Sequence, residues 1–188
     1  MNEDLGRILE QLVNLPRNKQ NEMIARLKAE GVGNFFARKP EDVAKDLTGM
    51  FLVRVTDDST TAGQIIDIDA WAEPVNDEKN AHYYTQEPGR IYMYTSRRGE
   101  MMAITAHEPG KAGLVRIKEI AVGKSVVTTT KVIPVFELDY TFDKKMINDE
   151  RLYLAKPTVS LEQAGYSVRR IDPKEKGLWV AEYKLSRR

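Results

Sequence analysis

With 188 residues, 41% of them hydrophobic and 30% charged, the chain has room for one domain with a substantial core and the balance of an ordinary soluble protein. No run approaches the ~18 consecutive apolar residues of a membrane span, and the opening MNEDLGRIL lacks a basic stretch ahead of an apolar one, so no membrane partner and an intracellular location are expected. The absence of cysteine excludes disulfides and thiolate metal sites and leaves His82 and His107 as the only imidazoles, so neither a metal nor a cofactor is expected, while the net charge of +1 says little about polyanions until the basic residues are placed in space.

Residues 3–15 carry Leu5, Ile8, Leu9, Leu12 and Leu15 on one helical stripe that Pro16 ends, and residues 18–30 form a second stripe with Met23, Ile24 and Leu27 that Gly31 ends. Together they predict a helical hairpin over residues 1–33. After the lead-in Asn34-Phe-Phe-Ala-Arg-Lys-Pro40 comes a third helix. Pro40 suits its first turn, Glu41 and Asp42 suit its positive end, Val43, Ala44 and Leu47 face inward, and Gly49 closes it.

At Met50 the period changes to two. Residues 50–55, 63–73, 90–95, 101–106 and 114–122 read as strands divided by turn-rich pieces such as Asp57-Asp-Ser-Thr60 and Arg97-Arg-Gly99, and connections this short predict a mostly antiparallel sheet. Farther on, residues 130–138 read as a short helix, 151–155 and 166–171 as short strands, and 178–185 as a closing strand ahead of a basic tail. The fold class is α/β in composition, more closely α+β: a single domain with a curved, mostly antiparallel sheet flanked by helices.

Within the second strand, strict alternation sends Ile66, Ile68 and Ala70 to one face and Asp67, Asp69 and Trp71 to the other. Two carboxylates beside an indole make a floor for a flat, electron-poor ligand with an acid or base in reach. The same alternation also describes a plain solvated face of an antiparallel sheet, because it reports burial and not chemistry.

The order of short motifs resembles the alkyladenine (methylpurine, 3-methyladenine) DNA glycosylases. Phe35-Phe36 followed by Val43-Ala-Lys-Asp-Leu-Thr-Gly49 resembles the family's opening, and Gly63-Gln-Ile-Ile-Asp-Ile-Asp-Ala-Trp71 is similar to its Gly-x-Ile-x-Glu-x-Glu-Ala-Tyr signature. Pro88-Gly-Arg-Ile-Tyr-Met-Tyr94, Gly113-Leu-Val-Arg116 and Arg151-Leu-Tyr-Leu154 resemble later elements in the same order. The resemblance covers residues 34–188 and implies a glycosylase-like domain there, behind the hairpin.

Carried over residue by residue, the resemblance implies that Asp69 activates the hydrolytic water, with Asp67 as the other candidate acid. It implies that Trp71, His82 and Tyr94 enclose an extruded base, that Thr105 stands where the family has an asparagine against the guanine amino group, and that Arg116 lies by the flipped nucleotide's phosphates. Arg97 and Arg98 fall at the hairpin tip where the family inserts a tyrosine into the duplex, and with Lys118 and Lys124 they form a candidate phosphate stripe. The implied activity is DNA repair by excision of alkylated or deaminated purines from double-stranded DNA through base flipping, by a monomer in the cytoplasm (nucleoid-associated) or nucleus. Asp in place of Glu, Trp71 in place of Tyr, the short His82-Tyr-Tyr-Thr-Gln-Glu87 connection and the arginine tip are departures. They keep open an alternative, a non-catalytic relative that binds a base or nucleic acid without cleaving it.

Overall fold

The computed structural model describes residues 32–72, 85–157, 159–173 and 179–188. The hairpin expected over residues 1–33 falls almost wholly outside these ranges, and so does His82. Two short helices open the described chain, α1 (Val32–Phe36) and α2 (Pro40–Leu47). The first overlaps the start of the lead-in, for which no helix was expected. α2 forms as its sequence dictates: Pro40 sits in the first turn, where a missing N–H costs nothing, Glu41 and Asp42 lie at the positive end, and Val43, Ala44 and Leu47 are fully buried. Thr48 ends it by donating its hydroxyl to the Ala44 carbonyl at 2.9 Å. Gly49 then turns the chain at φ 90, a conformation that favours glycine, and its N–H reaches the Ile65 carbonyl at 2.8 Å.

Among the described residues, nine antiparallel strands form one sheet: β1 (Phe51–Val55), β2 (Thr60–Ala72), β3 (Ile91–Ser96), β4 (Gly99–Thr105), β5 (Gly113–Val122), β6 (Ser125–Thr128), β7 (Leu152–Ala155), β8 (Tyr166–Ile171) and β9 (Trp179–Arg187). The main path runs β3-β4-β5-β2-β1-β7, with β6 added to β5 and the β9-β8 pair added to β2. β2 is the spine. Along one edge it pairs with β5, and along the other its first half pairs with β1 and its second half with β9. Helix α3 (Thr129–Val135) follows β6 and stops short of the expected 138, where Glu137 turns left-handed at φ 48 and the Leu138 N–H returns to the Ile133 carbonyl at 2.9 Å.

One continuous core lies between the helices and a single face of the sheet, with Ile65, Ile68 and Ala70 of β2, Val115, Ile117 and Ile120 of β5, and α2 and α3 packed over them. The strict alternation expected for β2 is corrected at Ile66. The register slips between Ile65 and Asp67 and again before Ile68, a β-bulge that puts Ile65 in the core at 0% exposure and leaves Ile66 only partly buried. Beyond the bulge the alternation is as expected, with Ile68 and Ala70 on the core face and Asp67, Asp69 and Trp71 on the other.

Candidate active site

On the face of the sheet away from the helices, five strands, β3, β4, β5, β2 and β9, contribute to one row of side chains. Cross-strand partners share a face, so register alone assembles the group. Asp69 stands opposite Arg116 of β5 and Glu182 of β9, Asp67 stands opposite Lys184 of β9, and Trp71 stands opposite Leu114 of β5. Arg116 pairs onward with Ala103, and Ala103 with Tyr92, so a single row crosses from β3 to β9 through Asp69. Gly113 permits the close approach that puts Trp71 there. A Cβ on it would come within 2.8 Å of the Trp71 carbonyl oxygen and 2.7 Å of that of Ala106.

Asp69 is 2% exposed, and Arg116 grips it with both arms of its fork. Nε donates to Oδ1 at 3.2 Å and Nη2 donates to Oδ2. The same guanidinium lies over the Trp71 ring, with its carbon 5.1 Å from the ring centroid, a cation-π distance. Tyr94 flanks it from β3 and favours its charge, and Tyr94 stacks on Tyr92 with centroids 5.0 Å apart and planes 17° from parallel. Among the described residues the buried indole Nε1 of Trp71 has no well-aligned acceptor, although it stands near enough to favour the charged form of Asp69. The expected alternative, a solvated polar face, does not describe these acids.

Burial is the largest influence on the Asp69 carboxyl and raises its pKa above the ordinary value, even against the pull of Arg116. For Arg116 burial also opposes charge, but Asp69 and then Tyr94 outweigh it and the guanidinium is held more firmly protonated than usual. The resulting carboxyl group is desolvated, paired with a guanidinium and fixed in orientation. Such a group can accept a proton from a water placed against one of its remaining lone pairs.

A second ionic group adjoins the first. Asp67, 1% exposed, has Lys184 Nζ at 2.7 Å and Lys118 Nζ at 3.6 Å from Oδ2, and both lysines also reach Glu182, at 3.5 and 2.6 Å. Lys184 is close to Asp67 Oδ2 yet off the line of a well-formed hydrogen bond, and no hydrogen-bond partner among the described residues reaches Oδ1. Burial raises the Asp67 pKa, while the contact with Asp67 raises that of Lys184. The two partners differ because the carboxylate is enclosed and the lysine side chain is 40% exposed, so the desolvation falls on the acid. Asp67, Asp69 and Glu182 are each countered by a cation, and no trio of metal-ligating side chains converges among the described residues.

The structure thus brings together Asp67, Asp69, Trp71, Tyr94 and Arg116. Arg97 and Arg98 lie exposed on the loop that joins β3 to β4, beyond Tyr94 and outside the Asp69 group. Thr105 is fully buried at the end of β4, where its hydroxyl donates to the Glu87 carbonyl at 2.7 Å and accepts from the Arg90 N–H at 2.9 Å, pinning the turn ahead of β3. Lys118 sits between Asp67 and Glu182, a place that sequence reasoning, which read it as a phosphate contact, did not foresee. Tyr92, Glu182 and Lys184 were missed. Each is one more alternating residue on a strand, and only register reveals what it faces.

A cavity of about 360 Å³ lies elsewhere, lined by Phe35, Asp46, Thr48, Lys156 and Leu161 among others, and shares no residue with this group. The family model for Methylpurine-DNA glycosylase (MPG) matches residues 34–172 of the chain. Among curated proteins, a relative from Enterococcus faecalis (strain ATCC 700802 / V583) named "Putative 3-methyladenine DNA glycosylase" is 29% identical over 109 residues, which are 52% of this chain. That match spans 46% of the relative's own length.

Proposed function

The chain belongs to the methylpurine-DNA glycosylase family, and on that premise we propose that it excises alkylated or deaminated purines from double-stranded DNA by flipping the base out of the duplex. The observation that carries the reading is the Asp69 carboxyl group, buried and held beside the Trp71 ring by a bidentate arginine. The flipped base stacks on Trp71 and Tyr94, a gain of about 1–3 kcal/mol per base that offsets the cost of unstacking it. Asp69 takes a proton from water as the oxygen bonds to the sugar's anomeric carbon, and the carbon–nitrogen bond to the base breaks with its electron pair going to the base. An alkylated base that is already cationic leaves neutral and needs no acid, whereas a neutral deaminated base leaves as its anion and takes a proton from solvent. His82, Arg97 and Arg98 enter as contacts to the base and the DNA backbone, and Thr105 acts by fixing the turn that precedes the Tyr94 strand.

One observation favours a second reading. Both Asp69 oxygens are taken up by Arg116, which suits a relative that senses a base without cleaving it. Single-turnover incubation of excess protein with labelled duplexes carrying methyladenine, hypoxanthine or ethenoadenine separates the two, read as alkali-sensitive breaks beside Asp69→Asn. Excision predicts breaks that disappear in the variant. Binding to the lesions without breaks would establish the second reading instead, and equal breaks in both proteins would remove Asp69 from the chemistry.

A further inference from the structure

We propose that the Arg116 guanidinium is an internal ligand of this site, a flat cation resting where a flat cationic base is to lie, and that it must release Asp69 before such a base can enter. The identity of the incoming ligand rests on the base-excision reading above; the self-occupancy does not. The guanidinium carbon lies 5.1 Å from the Trp71 centroid, Nε and Nη2 hold both oxygens of a carboxylate that is 2% exposed, and Tyr94 flanks the group from β3. An aromatic face, a buried anion and a flanking phenol form a receptor for a planar cation, and the chain fills it with its own. The Arg116 side chain keeps 22% of its surface exposed, so it has a path outward that Asp69 lacks.

The exchange makes Arg116 a specificity-determining residue. When a cationic purine displaces the guanidinium, one positive charge replaces another and Asp69 stays paired. A neutral purine entering the same space leaves a buried carboxylate with no partner, which costs about 100-fold or more in affinity. An internal competitor lowers apparent affinity for every ligand by the fraction of time it occupies the site, and it lowers it most for ligands that cannot take over its ion pair.

The test uses isotope-labelled full-length protein titrated at pH 6 with 7-methylguanosine, a flat cation at that pH, and with guanosine, its neutral counterpart. Two signals are followed, the Trp71 indole N–H, told from that of Trp179 with Trp179→Phe, and the Arg116 Nε–H. The expected result is that 7-methylguanosine moves both signals, with Arg116 passing to its free-solution position, and that guanosine binds about 100-fold more weakly. In Arg116→Ala, 7-methylguanosine binds about tenfold more tightly than in the wild type, and methylguanidinium chloride gives the same Trp71 shift and raises Tm. Arg116→Lys covers the case in which the alanine variant does not fold. It keeps the charge without the flat fork, and it too should bind 7-methylguanosine more tightly than the wild type. An Arg116 signal unmoved at saturating 7-methylguanosine, equal binding of the two nucleosides, or no binding to the wild type or either variant would each overturn the proposal. Excision is scored separately. Release of Arg116 without strand breaks refutes catalysis and leaves the internal ligand standing, whereas breaks with Arg116 unmoved refute the internal ligand alone.

Discussion

Replacing Asp69 by Asn should remove excision while leaving the fold as stable as before at pH 7, or more so. Asp69 is 2% exposed, and burial raises its pKa despite the fork of Arg116, so the ionised carboxylate is held at a cost to folding. A group whose folded pKa lies above its unfolded value contributes stability that is fully present below the unfolded value and is lost as pH rises through the folded one. The wild type should therefore lose ground to Asp69→Asn as pH rises from about the ordinary carboxylate value of 3.8 toward neutrality. Asn keeps the shape and one acceptor for Arg116, whose second arm can turn to water because its side chain is 22% exposed. Removing one partner of a buried ion pair is costly where the other stays buried, and exchanging the whole pair for neutral groups is neutral to favourable. With Arg116 22% exposed and free to turn to water, the second limit is the nearer one here. Discounting for the exposure of Arg116 leaves about 0–1 kcal/mol, which at about 2–4 °C per kcal/mol for this chain length is a Tm rise of about 0–4 °C at pH 7. Thermal melts of both proteins between pH 4 and pH 8, followed by circular dichroism, measure the difference directly. A loss of several degrees in Asp69→Asn that is the same at pH 4 and pH 7 would show that the pair with Arg116 holds the sheet together, and would refute the account of Asp69 as a strained functional acid.

The bulge in β2 predicts unequal costs for neighbouring isoleucines: Ile65→Ala should lose about 2–5 kcal/mol in urea unfolding, and Ile66→Ala less than about 1 kcal/mol, whereas unbroken alternation would reverse them. Gly113→Ala drives a Cβ against backbone oxygens of Ala106 and Trp71, so it should cost about 1–3 kcal/mol and shift the Trp71 indole resonance; an unshifted resonance would mean the strands part elsewhere. Single-turnover excision should rise with pH along an acid limb that lies above the ordinary carboxylate range, because Asp69 must be ionised and burial raises its pKa, and a limb at the ordinary value would assign the step to an exposed acid.

The strands were legible as runs rich in β-branched and aromatic residues bounded by turn-forming ones. On that signal β3, β5 and β8 appear in the sequence within a residue or so of where they lie. The four residues of β6, Ser125–Thr128, gave no such signal, since so short a stretch after Gly123-Lys124 reads as a continuing turn. The site was legible only in its β2 part. Asp67, Asp69 and Trp71 are adjacent in sequence and could be recognised together, while Glu182 and Lys184 reach them through the β2-β9 register across more than 100 residues, which no local pattern encodes. Lys118 was visible as a basic residue, but only the pairing shows that its charge is spent on two acids instead of being offered to phosphate.

The bulge explains how one strand serves both the core and the site. In a regular strand, the positions that share a face with Ile68 are 66 and 70, and Ile65 would join Asp67, Asp69 and Trp71 on the other side. A large aliphatic side chain would then stand in the row of ionic groups, with Ile66 taking its place in the core. The slip between Ile65 and Ile68 lets the first half of β2 send Ile65 inward against Ile120 while the second half keeps its acids on the outer face. It falls where β2 changes partner along one edge, from β1, paired as far as Gln64, to β9, paired from Asp67. Asp67 and Asp69 therefore stand just past the irregularity, gripped by β5 on one side and β9 on the other. A bulge re-aims side chains and ends one pairing so that another can begin, and here both effects converge on the carboxylate that Arg116 holds.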